Sequence, residues 1–322
     1  MEEIDCRSST FRHEAMLYAG LDEFVEAVCA FIREAPDEPA LVVVGAAKLA
    51  ALREALDGDR DRVLLLADMG SVGANPGRII PAWLEFVERH GGPGAPLRGV
   101  GEPIYPERTA DEMVECHRHE ALLNSALEGT DLLLVCPYDT DALSEEVIAR
   151  ARLNHPFLRD HGATVPSADY PGAAALAEPF DEPLPPAPSS ARTTSFDVAA
   201  LARVRALAHA AAASAGCSDE QAAELVLAVN EVATNSIAHG GGEGTLSLWQ
   251  FGETVVCEVS DRGRNVDPLA GRRRPRPEAL RGRGLWIANQ VCDLVQVRAF
   301  VSGGVVRLHM RAHAEGGRRP DD

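Results

Sequence analysis

Three short apolar runs constrain the first half of this chain most: ALVVVG at 40–45, RVLLLA at 62–67 and DLLLVC at 131–136. None has the polar alternation of a strand with one wet face, so each reads as a strand buried on both sides. Helix-like stretches stand between and around them. Leu17, Leu21, Phe24, Val25, Val28 and Phe31 recur at helical spacing and predict an amphipathic helix over 13–34. Further helices are expected at 46–56, 79–90, 109–127 and 141–153, the third with Thr109 or Asp111 near its N-cap. A strand is also expected at 97–102. Apolar strands alternating with helices imply a parallel sheet covered on both faces, so residues 1–162 read as one α/β domain.

Ligands of such sheets sit at the carboxyl ends of the strands. Here those ends carry Gly45, Asp68 and the Cys136-Pro137-Tyr138-Asp139 turn. A phosphate loop belongs after the first strand, but Gly45-Ala46-Ala47-Lys48-Leu49 lacks the second Gly and has Leu where Ser or Thr should follow Lys. No nucleotide site is read there.

RHEAMLYAGLDEF at 12–24, the VVVG strand end, and HEALLN at 119–124 before DLLLVCPYD at 131–139 make this half resemble the MEDS sensory domain. The resemblance implies a RecA-like fold without a working phosphate loop and a role in sensing small organic molecules. His13, at the start of the expected first helix, and Cys136, at the end of a core strand, are the sensory candidates. Cys116, His117 and His119 lie close in sequence but do not share one helix face, and no fourth ligand is evident, so they do not read as a metal site.

Residues 163–195 are rich in Pro, Ala and Ser and lack a sustained apolar period. EPLPPAP at 182–188 favours polyproline II, so the whole stretch reads as a semi-rigid interdomain linker. A second domain is expected over 196–314, with 315–322 as a disordered tail.

In that domain, Asp197–Ala215 reads as an Ala-rich helix. Ser218 and Gln221 form a capping-box pattern ahead of another helix that runs through ELVLAVNEVATNSIAHG at 224–240. Leu225, Val226, Val229, Val232, Ala233 and Ile237 gather on one arc, while Glu224, Glu231 and Asn235 gather on the next, with no Lys or Arg among them. TLSLWQF and TVVCEVS alternate as antiparallel strands around Gly252-Glu253, and Asp261-Arg262-Gly263 follows. An Arg-, Gly- and Pro-rich segment leads to RGRGLWIANQVCD, a glycine-rich helix entry. Two strands close the domain around Ser302-Gly303-Gly304.

These pieces suit a nucleotide pocket. A helix N-terminus offers unsatisfied N–H groups to phosphate, and Gly282 and Gly284 let the backbone approach closely. Asn235 offers an oxygen ligand for Mg²⁺, Glu231 a base beside the terminal phosphate, and Asp261 an acceptor for a purine amine.

The order of LAVNEVATNSIAHG, SDRGRNVDP and RGRGLWIANQ resembles the GHKL ATPases of the Bergerat fold, an α+β sandwich. The resemblance implies Glu231 as general base, Asn235 as Mg²⁺ ligand and Asp261 as adenine reader. Asn230 and His239 become wall residues, and Gly263, Arg281, Gly282, Arg283, Gly284 and Leu285 become parts of the ATP site. Arg272, Arg273, Arg274, Arg276, Arg281 and Arg283 could close over the triphosphate and neutralise its charge, and they also fit a plain solvated loop. The domain is most similar to anti-sigma-factor kinases of the RsbW type, and the whole chain to RsbA-family anti-sigma regulators. That implies a protein serine/threonine kinase whose partners are a sigma factor and a STAS-type anti-anti-sigma antagonist. Two positions depart from the pattern: Asn265 stands at the second Gly of the first glycine box, and Val305 replaces the usual Thr after Gly304.

Composition narrows the alternatives. The net charge of −18 lacks the basic face that nucleic acid or anionic lipid requires. No apolar run approaches the roughly 20 residues that span a bilayer. The N-terminus has no apolar signal core, and seven scattered cysteines fit reduced thiols, so a cytoplasmic protein is expected. Two other readings stand beside the kinase. One is a nucleotide-gated sigma-factor binding module without significant kinase activity. The other is a two-component histidine kinase, which fits less well because the upstream segment is Pro-rich and His209 lies in the Ala-rich helix.

Overall fold

The computed structural model describes residues 11–312 except 59–62, 93, 161, 173, 175–181, 264–266, 277 and 279–281. The expected tail at 315–322 lies outside the described residues. The chain divides into two compact units, one from residues up to Gly73 and Ala82–Leu176, the other from Ala74–Pro81 and Ala177 onward. Among the described residues, no helix is long and apolar enough to cross a membrane.

The first unit is built on a seven-stranded sheet in the order β3-β2-β4-β5-β1-β6-β7. The strands are β1 (Arg12–Tyr18), β2 (Ala40–Val44), β3 (Leu64–Asp68), β4 (Leu97–Gly101), β5 (Leu132–Asp139), β6 (Phe157–Asp160) and β7 (Ala163–Pro166). All neighbours pair in parallel except β6 and β7. The helices are α1 (Gly20–Arg33), α2 (Ala46–Ala55), the single turn α3 (Met69–Val72), α4 (Ile79–His90, in this unit from Ala82), α5 (Ala110–Ala126) and α6 (Glu145–Asn154).

Strand β1 corrects the expected helix over 13–34. RHEAMLY lies between β5 and β6, where both faces are covered, and the helix begins only at Gly20, whose φ of 76° breaks the run. Alternation then sorts its side chains. Met16 and Tyr18 join Phe24, Val28, Phe31 and Ile32 of α1 in one core cluster. His13, on the opposite side, meets α5 through Glu120 and Asn124. Strand β3 is also not the buried strand expected: it is an edge strand, and Leu65 is 38% exposed. On β4, a β-carbon at Gly99 or Gly101 would come within 2.9 Å of the Trp83 ring, so these glycines make room for the indole of α4. Thr109 caps α5 with the reciprocal bonds of a capping box, its hydroxyl accepting from the Glu112 N–H.

The second unit has a five-stranded antiparallel sheet in the order β11-β12-β10-β9-β8. Its strands are β8 (Arg192–Asp197), β9 (Glu243–Phe251), β10 (Thr254–Asp261), β11 (Leu294–Phe300) and β12 (Gly303–Arg311). Its helices are α7 (Leu201–Ser214), α8 (Asp219–His239) and α9 (Gly284–Val291). Val204 and Ala208 of α7, Leu225, Val229 and Val232 of α8, and Ala288 of α9 pack on alternate strand residues such as Leu246, Cys257, Val295 and Leu308. Ser218 caps α8 and Gln221 returns the bond, as the sequence pattern requires.

Two findings correct the expected linker at 163–195. β7 extends the first sheet, and β8 pairs with β9 from Arg192 onward, so that sheet begins before Phe196. The polyproline-like stretch is also held. Arg298 Nε donates to the Glu182 carbonyl at 3.1 Å, and Arg307 donates to that of Pro185 at 2.6 Å. Gln296, Arg298 and Arg307 are buried on the sheet face opposite the helices, where their donors need acceptors.

Candidate functional site

Helix α8 carries the polar arc. Its last turns run into the end of β10. A β-carbon at Gly240 would stand 2.5 Å from Asp261 Cγ and from the Ser236 carbonyl, so only glycine lets helix and strand meet. The Arg262 N–H donates to the Gly240 carbonyl at 3.2 Å. Asp261 Oδ1 accepts from the Gly263 N–H at 2.7 Å, which orients the carboxylate. Gly263 lies against the His239 carbonyl, while the His239 side chain is exposed.

The glycine-rich entry to α9 meets the same helix one to two turns earlier. Gly282 has a φ of 83°, a left-handed conformation that suits glycine, and Arg283 is the N-cap residue of α9. A β-carbon at Gly284 would reach 2.7 Å from Asn235 Nδ2 and 3.3 Å from Glu231 Oε2. Glu231 is half-buried and Asn235 exposed. Leu285 is partly buried against the core and lies beneath Gly271. Glu231, Asn235 and Gly284 therefore form one group, and Asp261, Gly263 and the end of α8 a second.

Other expected site residues fall elsewhere. Asn230 Oδ1 accepts from Arg205 of α7 at 3.0 Å. Arg272 is buried, which removes it from a solvated loop, whereas Arg273, Arg274, Arg276 and Arg283 are exposed. Arg281 and Asn265 lie outside the described residues. Val305 pairs with Ser260 and Arg298, and its neighbour Gly304 pairs with Asp261. A cavity of about 380 Å³ is lined by Asp261, Arg262, Ser195, Glu243 and Thr245 among others. It touches Asp261 from the sheet side and includes none of Glu231, Asn235 or Gly284.

Residues 194–310 match the family model "Histidine kinase-like ATPase domain", and residues 12–156 match "MEDS: MEthanogen/methylotroph, DcmR Sensory domain". The chain joins a MEDS domain to a histidine kinase-like ATPase domain. No curated protein matches it. A solved structure titled for the RsbU and RsbW domains of Rv1364c from Mycobacterium tuberculosis is similar at 21% identity with a TM-score of 0.30. The likeness covers 39% of this chain and 33% of that one, so the chain spans about a third of its length.

In the MEDS domain the two sensory candidates come together. His13 Nε2 lies 3.3 Å from Cys136 Sγ. Neither sits where the sequence put it: His13 is in β1, and Cys136 is in the middle of β5, which continues to Asp139. Two unexpected residues complete the group. His13 Nε2 is 3.1 Å from Glu120 Oε2, and His155 Nε2 is 3.2 Å from the same oxygen. All four side chains are buried. Burial, helped by neighbouring His155, pushes His13 down to about 4, and burial drives the Cys136 thiol well above its usual value. Cys116 is set apart, its thiol donating to the Pro103 carbonyl at 3.2 Å.

At the carboxyl ends of the MEDS strands, the Lys48 amine contacts both Glu102 and the Tyr18 hydroxyl. Tyr18 also donates to Glu102 at 3.0 Å. The lysine that a phosphate loop would turn to a nucleotide is here spent inside the protein.

Proposed function

We propose that the ATPase domain binds ATP with Mg²⁺ and works as a protein serine/threonine kinase and anti-sigma factor. One observation carries this reading: residues from three separated motifs meet on α8, with Gly284 against Glu231 and Asn235, and Asp261 against Gly240. The missing β-carbon at Gly284 fits the group, since it lets the first amides of α9 stand beside an exposed carboxamide and a carboxylate.

Asn235 would hold Mg²⁺ through its side-chain oxygen. Gly282, Arg283, Gly284 and Leu285 would bind phosphate through the N-terminal turn of α9, with Arg281 close in sequence. Asp261, held by Gly263, would accept from the adenine amine, with His239 near the strand end. Bound ATP with Mg²⁺ supplies a transferable γ-phosphoryl group. Glu231 would take the proton from the hydroxyl of a Ser or Thr on the acceptor protein. The partners proposed are a STAS-type antagonist as acceptor and a sigma factor that competes with it. The MEDS domain would bias this switch on binding a small organic molecule.

Labelled ATP incubated with the full chain and its candidate antagonist tests the proposal. Glu231→Ala is expected to cut phosphotransfer by about 10²- to 10⁴-fold, the range of a general base, while ATP binding persists. Unchanged transfer would remove Glu231 from the role. Val305 favours a second reading, a nucleotide-gated sigma-factor trap without phosphotransfer, because no hydroxyl stands next to Gly304. ATP binding with no labelled antagonist would select it.

A further inference from the structure

We propose that His13, Glu120, Cys136 and His155 of the MEDS domain form a structural zinc site. Their donor atoms all lie within 4.8 Å of one another. They come from three elements, β1, α5 and β5, and from the residue that follows α6. With bonds of about 2.0–2.3 Å, the ligand atoms of a tetrahedral zinc site stand about 3.3–3.8 Å apart. Three of the observed separations are 3.1, 3.2 and 3.3 Å, close to that edge.

The histidine tautomers support a cation. His155 Nδ1 is 2.7 Å from the Ala151 carbonyl, which can only accept, so Nδ1 carries the proton. His13 Nδ1 is 3.2 Å from Asn124 Oδ1. That amide is fixed in orientation because its Nδ2 donates to the Asn154 carbonyl at 2.9 Å. In their neutral forms both rings therefore turn an Nε2 lone pair toward Glu120 Oε2. Three acceptors converge with the Cys136 thiol as the one donor among these four side chains, and the buried Glu120 Oε1 has no hydrogen-bond partner. A divalent ion would satisfy all of them. Nδ1–H groups held by oxygen acceptors are also the usual outer support of histidines that bind metal through Nε2.

Charge favours the same assignment. A dication with one carboxylate and one thiolate is neutral overall, the state that a fully buried site tolerates best. Binding would release one proton to water, from the Cys136 thiol. Two imidazoles, a thiolate and a carboxylate suit Zn²⁺ over the hard cations Mg²⁺ and Ca²⁺. Because all four residues are buried, the ion would enter as the domain folds.

The full chain, stripped of metal with a chelator in denaturant and refolded with Zn²⁺ or Co²⁺, tests the assignment. We expect about one ion per chain to survive gel filtration, and the cobalt form to show tetrahedral d–d bands with thiolate-to-cobalt charge transfer. Cys136→Ser should abolish the charge-transfer band, and Cys116→Ser should leave it intact. Asn124→Ala keeps every ligand but should weaken zinc binding about 10- to 100-fold, as loss of an outer-shell partner does. Wild-type chain that refolds without retaining either ion would overturn the proposal, independently of any variant's folding. A charge-transfer band that persists in Cys136→Ser would overturn it as well.

Discussion

Gly284 stands so close to Asn235 that a β-carbon would come within 2.7 Å of the carboxamide nitrogen. The same carbon would press on Glu231 at 3.3 Å. Gly284→Ala should therefore push Asn235 aside or lift α9 from α8. Overpacking of this kind costs about 1–3 kcal/mol. We expect a lower melting temperature and weaker binding of a fluorescent ATP analogue. Unaltered affinity would separate Asn235 from the proposed nucleotide site.

Arg307 lies between several groups on the sheet face away from the helices. It is bonded to Glu258 at 2.6 Å and to the Pro185 carbonyl, and it stacks over Trp249 with 5.0 Å to the ring centroid. Arg307→Ala would leave the Glu258 carboxylate, only 16% exposed, without its cation. Breaking a buried pair on one side costs about 3–5 kcal/mol. Urea unfolding should register that loss, and limited proteolysis should cut sooner within residues 182–188, where the chain loses its anchor.

Ser218 accepts from the Gln221 N–H at 3.2 Å at the start of α8. Ser218→Ala should reduce stability by about 1 kcal/mol, the typical value of such a cap, and Ser218→Asp should retain most of it. Chemical denaturation of the three proteins at one pH decides the point.

Acid sensitivity of the MEDS domain should trace in part to Glu34. Burial alone would raise this carboxyl, but hydrogen bonds from Arg159 and Arg98 hold it below the ordinary value of 4.5. A depressed folded value contributes stability above the unfolded pKa, and that contribution fades as pH falls through the folded one. Arg159→Gln should thus destabilise more at pH 7 than in acid below the ordinary carboxylate pKa. Arg159 also bonds Glu14 at 3.1 Å, so part of the neutral-pH loss will come from that carboxylate. An equal loss at both pH values in urea titrations would assign the effect to packing.

Local signals were readable in the sequence, and long-range pairings were not. The Ser218 cap, the Glu231/Asn235 pair one turn apart and the glycine entry to α9 are each encoded within a few residues, and the structure puts them where the spacing implies. The apolar spacing of RHEAMLY runs smoothly into α1, so periodicity alone predicts one helix there. Only its place between β5 and β6 makes it a strand. RTTSFD hides in a Pro- and Ala-rich neighbourhood and becomes a strand by pairing with β9. Glu120 and His13 are 107 residues apart, so no window of sequence could join them. The HEALLN and NHPF stretches that supply Glu120 and His155 were the available hints.

The open edge formed by β3 has a consequence for handling the protein. Among the described residues β3 pairs on one side only, so Leu64, Leu65 and Leu66 offer an apolar edge, the pattern that recruits a like strand from another molecule. The sequence brackets it with DGDRDR at 57–62 on one side and Asp68 on the other, charges of the gatekeeper type. Neutralising those flanks should make the chain aggregate more readily at concentration, with Glu231, Asn235 and Asp261 untouched.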